Sequence, residues 1–124
     1  MAHQIGTFSE KVIKLLPDNI ADNIADNTPI LLGNSNIHHM QSSHPTDYAK
    51  YGSDISDIIN NPDYIGVNNK DDSIEFVKEY LVDNEFVKVA VRVSNSNNYY
   101  ARSLYILNNN RVRNYILKGT LIKV

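Results

Sequence analysis

The chain has no cysteine. That excludes a disulfide framework and a thiolate zinc site, and it removes redox chemistry as a guide to compartment. No apolar run approaches the ~20 residues that a membrane-spanning helix needs, so no membrane partner is expected. The opening stretch "MAHQIGTFSE" has neither a basic start nor an apolar core. No targeting segment is expected from it, and the cytoplasm is the default site of action. No nicotinamide-binding glycine pattern and no catalytic glutamate constellation stands out, which sets ADP-ribosyl transfer aside. Charge of neither sign dominates: 12 Lys and Arg against 14 Asp and Glu leave a formal net charge of −2. Wholesale coating of nucleic acid is thereby excluded, and any RNA contact must be a focused patch.

What is present suits one domain over residues 1–124 with one core: 42% of the residues are hydrophobic and 21% charged, ordinary values for a globular chain of this length. Thr7 followed by Glu10 has the form of a capping box, and Val12, Ile13, Leu15 and Leu16 repeat at helical spacing up to Pro17. The tandem "IADN" at 20–23 and 24–27 is too short for a solenoid and reads as a loop or frayed turn. "PILLG" reads as a short buried strand. A helix capped by Ser35 closes near Ser43 or His44, because Pro45 pushes His44 out of the helical region. A second helical pattern from Thr46 carries Tyr48, Tyr51, Ile55, Ile58 and Ile59, with a kink expected at Gly52. After Pro62 come "DYIGV", "SIEFVKEYLV", "EFVKVAVRVS" and "YYARSLYIL", four β-rich runs parted by short polar turns. A last helix is expected over about 110–118, stopped by Gly119. The fold class is α+β: N-terminal helices packed on a four-stranded antiparallel sheet, then a C-terminal helix or tail.

Pairing Val82 with Glu85 and Ser94 with Tyr99 sorts the side chains by face. One face collects Ile74, Phe76, Tyr80, Val87, Val89, Val91, Val93, Tyr100, Leu104 and Ile106 for the helices to cover, with Lys78 and Arg102 interrupting it. The other collects Lys88, Ala90, Arg92, Ala101, Ser103 and Tyr105, a shallow cationic surface on which Lys88 is expected to be solvated. Lys78 and Arg102 must snorkel, pair or line a site, because unpaired burial of a charge costs several kcal/mol.

Three of the four histidines fall in "NIHHMQSSHP". His39 and His44 are five apart, about 140° around a helix, so they do not form a metal-binding pair on one face. No metal and no cofactor is expected. His38 reads as a solvent residue. His44, at the end of a helix, gains stability as imidazolium and suits a general acid. Histidines beside a cationic sheet are the ingredients of metal-independent RNA cleavage: one imidazole takes the 2′-OH proton, another protonates the leaving 5′-oxygen, and cations steady the phosphorane.

The ordered set "PILLGNSNIHHMQSSHP", "DYAKYGSDISDIINNPDYIGV", "IEFVKEY", "VKVAVRVS" and "YYARSLYILN" resembles the phage-associated branch of the barnase/EndoU/colicin/RelE-like nuclease superfamily, from about Phe8 to the end. The resemblance implies helices before a four-stranded antiparallel sheet, and a metal-independent endoribonuclease used as a toxin or in conflict between phage and host. It also implies a helix histidine, an "HP" step, a strand lysine or arginine, and an "RS" pair. These fall here on His39, on His44 with Pro45, on Lys78 or Arg92, and on Arg102 with Ser103; His38 departs from the acidic or polar residue expected before His39. The expectation is therefore an endoribonuclease with His39, His44, Arg102 and Ser103 in catalysis and Lys78, Arg92 and Tyr105 holding RNA. It would act in the cytoplasm of a bacterial host and be restrained by a cognate inhibitor. The rival is a non-catalytic RNA- or protein-binding module of phage origin.

Overall fold

The computed structural model describes residues 1–124. Strand β1 (Ala2–Thr7) leads into two single helical turns, α1 (Glu10–Ile13) and α2 (Asp18–Ala21), then β2 (Pro29–Gly33). Helices α3 (Asn34–Ser43), α4 (Pro45–Tyr51) and α5 (Ile55–Asn60) follow, the last two joined by a 3₁₀ turn over Gly52–Asp54. Strands β3 (Tyr64–Val67), β4 (Ile74–Tyr80), β5 (Glu85–Val93) and β6 (Tyr99–Leu107) precede α6 (Asn109–Leu117) and β7 (Leu121–Lys123).

The four expected strands are present as β3 to β6, but the sheet has seven strands, in the order β1-β2-β6-β5-β4-β3-β7. It is mixed rather than purely antiparallel. β2 joins β6 in parallel through Ile30 and Leu31 beside Tyr99 and Tyr100, and every other pairing is antiparallel. The edge strands escape sequence reading for a physical reason. An edge is recruited by backbone donors and acceptors, so β1 ("AHQIGT") and the three residues of β7 need no apolar period.

Local signals also moved by a residue or two. Ser9, not Thr7, caps α1, its hydroxyl accepting from Val12 N at 3.2 Å, while Thr7 closes β1. α3 begins one residue before Ser35, and the Asn36 side chain turns back to accept from Gly33 N at 2.9 Å. His44 ends α3, and Pro45 opens α4 at the position where a missing N–H costs nothing. The kink at Gly52 is the 3₁₀ turn, and Gly119 ends α6 with φ of +77°.

Register decides the faces. β4 and β5 pair Tyr80 with Glu85, not Val82 with Glu85; the slip is two residues, so every side chain keeps its expected face. Between β5 and β6 the ladder slips by one: Ala90 lies opposite Ser103 but Val91 opposite Ala101, leaving Arg102 as an extra residue in a β-bulge. Up to Ala101 the odd residues of β6 point to the core, and from Leu104 the even ones do. Tyr100, expected inside, therefore turns away, and Ala101, expected outside, is fully buried. Val93, also expected inside, lies at the exposed end of its strand.

The helices cover one face of the sheet. Phe8, Val12, Met40, Ile55, Ile58 and Ile59 pack there on Ile74, Phe76, Val87, Val89, Val91 and Leu104. On the other face α6 covers only one end, where Val77, Phe86, Val112 and Leu121, the last from edge strand β7, make a second small core. The rest of that face stays open.

Candidate active site

The open part of the sheet is a cleft of about 450 Å³ whose floor is Ala90, Lys88, Arg92, Ser103 and Tyr105. One wall is the first turn and a half of α3, contributing Ser35, Asn36 and His39; the opposite wall is the β3–β4 turn with Asn68, Asp71 and Ser73. The amphipathic setting of α3 produces the first wall: Met40 is fully buried and anchors the helix, which leaves the adjacent His39 exposed at the rim. The His39 Nδ1 faces the Ser43 hydroxyl, 3.5 Å away and one helical turn later. Its Nε2 is then the nitrogen free for a ligand.

The bulge is what gives the cleft its second guanidinium. In a regular strand Arg102 and Ser103 would point to opposite faces. The extra residue lets both line the cleft, together with Arg92 of β5.

Lys88 is buried, contrary to the expectation that it is solvated. Its Nζ donates to Glu75 Oε2 at 2.7 Å and lies 4.5 Å from the centre of the Tyr105 ring. Burial pulls its pKa down, but Glu75 and Tyr105 outweigh that and hold it above the ordinary lysine value. Asp71 is already occupied: it accepts from the Ser73 hydroxyl and from Ser73 N, and these bonds, with the positive field of Arg92 and Lys88, keep its carboxyl below the usual range. Both carboxylates of the cleft thus have partners, whereas Arg92 and Arg102 have no ion pair.

Of the seven residues expected in the site, His39, Arg92, Arg102, Ser103 and Tyr105 are brought together in this cleft. Two are not. His44 is not among the residues that line the cleft: its ring stacks on Tyr105 with centroids 4.8 Å apart and planes 25° apart, and its Nδ1 is 4.0 Å from Asp47 Oδ2. Asp47 in turn accepts from Ile106 N, tying α4 to the edge of β6 that β2 leaves free. Lys78 is on the opposite face of the sheet, where Nζ donates to the Asn61 carbonyl at 2.9 Å and lies 3.7 Å from Asp57. It pairs rather than lining a site, because its strand position shares the core face with Phe76. Glu75 was the residue missed. Its signal was in "SIEFVKEY": it alternates with Phe76 and therefore shares a face with Lys88, on the neighbouring strand.

No three His, Asp or Glu side chains converge anywhere in the fold. Two arginines, an ion-paired lysine, hydroxyls and one imidazole around an open cleft, on a sheet backed by helices, are the make-up of a protein that holds a phosphate beside a proton-transfer group. The chain belongs to the family described as phage-Barnase-EndoU-ColicinE5/D-RelE like nuclease3, whose sequence profile matches residues 3–114. It is thus a member of a nuclease family of the barnase/EndoU/RelE type and of phage origin. No curated protein and no solved structure matches it.

Proposed function

We propose that the protein is a metal-independent endoribonuclease that cleaves RNA by attack of a 2′-OH on the adjacent phosphorus, leaving a 2′,3′-cyclic phosphate and a free 5′-OH. The observation that carries this reading is the convergence of His39, from the helical half, with Arg92, Arg102 and Lys88, from the sheet, in one cleft. Arg92 and Arg102 bind the non-bridging oxygens, and their charge counts most as the phosphorane gains its second negative charge. The Ser103 hydroxyl donates to the same group. With His44 outside the cleft lining, the proton acceptor for the 2′-OH within the cleft is the Glu75 carboxylate, whose second oxygen is not engaged by Lys88. His39 then gives its proton to the leaving 5′-oxygen. Tyr105 and His44 are positioning residues: the stack fixes the ring against which Lys88 rests.

The proposal extends to a toxin acting in the cytoplasm of a bacterial host and restrained by a cognate inhibitor, for which an exposed cationic cleft offers an acidic partner a direct way to block the site. The test is cleavage of a defined oligoribonucleotide in excess EDTA. Cyclic-phosphate product should form at an undiminished rate, and Arg102→Ala should lower that rate by ~10²-fold or more. A requirement for added divalent cation, or RNA binding with no cyclic product, would overturn the reading and favour a metal-dependent enzyme or a non-catalytic binder.

A further inference from the structure

A second depression of about 670 Å³ adjoins the cleft, and the two share Asn68, Glu75, Lys88 and Tyr105. The Lys88–Glu75–Tyr105 cluster is therefore a saddle in one continuous groove. The groove runs from Arg102 across the sheet to α6. Beyond the saddle its character changes. Leu107 and Leu121 give an apolar floor, Tyr115 stands at the wall, and Lys70 and Arg111 are exposed at the rim. The volume lies within the ~300–1,000 Å³ of small-ligand sites.

Charge is concentrated along the groove. Lys70, Lys88, Arg92, Arg102 and Arg111 are five of the chain's 12 cations, whereas Glu75 and Asp71 are the only two of its 14 carboxylates. A chain of net charge −2 thus presents one positive track, and that track is interleaved with tyrosines. Such a combination fits single-stranded nucleic acid: cations follow the backbone while an aromatic or apolar surface takes an unpaired base. A duplex keeps its bases stacked inside and has nothing to put in the second depression.

We infer that the depression beside α6 is a subsite for the nucleotide one step beyond the two that flank the scissile phosphate, with Arg111 and Lys70 on the next phosphate along the chain and Tyr115 against the base, so that the preferred substrate is single-stranded RNA longer than a dinucleotide. The inference rests on the cleft being the cleavage site, but its test does not need turnover. Oligoribonucleotides of two to six residues, with 2′-deoxy sugars to block cleavage, are titrated against the full chain by fluorescence anisotropy. Affinity should rise at least ~5-fold as length passes two residues, by the stacking of one further base. Arg111→Ala and Tyr115→Ala, at exposed helix positions, should remove that gain while leaving dinucleotide affinity unchanged, and Arg111→Ala should reduce the slope of log affinity against log salt by about 0.7. A length gain that survives both substitutions, or no gain in the wild type, overturns the subsite. Wild-type protein that shows the gain but cleaves no RNA would leave the subsite standing and remove the nuclease reading alone.

Discussion

The two histidines of "HHMQSSHP" give the sharpest test of the cleft, because the fold assigns them different work. His39 is exposed on α3 and its side chain has one hydrogen-bond contact, to the Ser43 hydroxyl at 3.5 Å. Replacing it with alanine removes little buried surface and places the best helix former in a helix, a gain of at most ~0.7 kcal/mol. Unfolding free energy should therefore stay within about 0.7 kcal/mol of wild type. Activity should fall by ~10²- to 10⁴-fold, the usual contribution of a positioned general acid. His44 should behave in the opposite way. Its stack on Tyr105, at 4.8 Å, contributes about 0.5–1.5 kcal/mol beyond area burial, so His44→Ala should lose roughly 1 kcal/mol of stability. Activity should drop by less than ~10-fold, through a looser Tyr105 and Lys88 rather than a lost proton donor. Initial rates on a fluorogenic oligoribonucleotide and urea denaturation of the same samples measure both effects. The reasoning is refuted if His44→Ala abolishes cleavage at full stability while His39→Ala cleaves normally, since proton transfer would then run through His44.

Two further predictions concern stability. Lys88→Met leaves the half-buried Glu75 carboxylate without its partner, at a cost of about 2 kcal/mol, and adding Glu75→Gln should recover most of that loss; urea midpoints read both variants, and a loss under ~1 kcal/mol for the single change would mean that water replaces the ammonium. On the far side of the molecule Tyr51 is buried and donates to Glu85 at 2.6 Å. Burial and then Glu85 push its pKa up to about 12, and burial and then Asp54 push that of Tyr80 up as well. Each folded-state pKa lies above the unfolded value, so the folded chain holds these protons more tightly. Stability is full below pH ~10 and falls as pH rises towards 12. Tyr51→Phe should flatten part of that alkaline loss and cost about 1–2 kcal/mol at neutral pH, which denaturation series between pH 7 and 11.5 will show; an unchanged alkaline slope would place the titration elsewhere.

Much of the architecture follows from the order of residues alone. Period-two alternation in "SIEFVKEY" and "EFVKVAVRV" fixes two central strands and their faces, because half of every such strand must leave water. Pro45 fixes the break between α3 and α4 through its ring and its missing N–H. Alternation also put Arg92, Ser103 and Tyr105 on one surface, and all three line the cleft. The tertiary structure decided what no local rule encodes. β1 and β7 are strands because sheet edges were vacant for them, not because their side chains demand it. Arg102 joins the cleft because β6 carries one residue more than β5 at that point, and a bulge reverses parity without a mark in composition. Lys88 is buried and paired, and Lys78 is paired on the other face, because a lysine's surroundings come from strands distant in sequence. Residue type told which groups could meet a phosphate; register and helix placement, set by packing over the whole chain, chose which of them do.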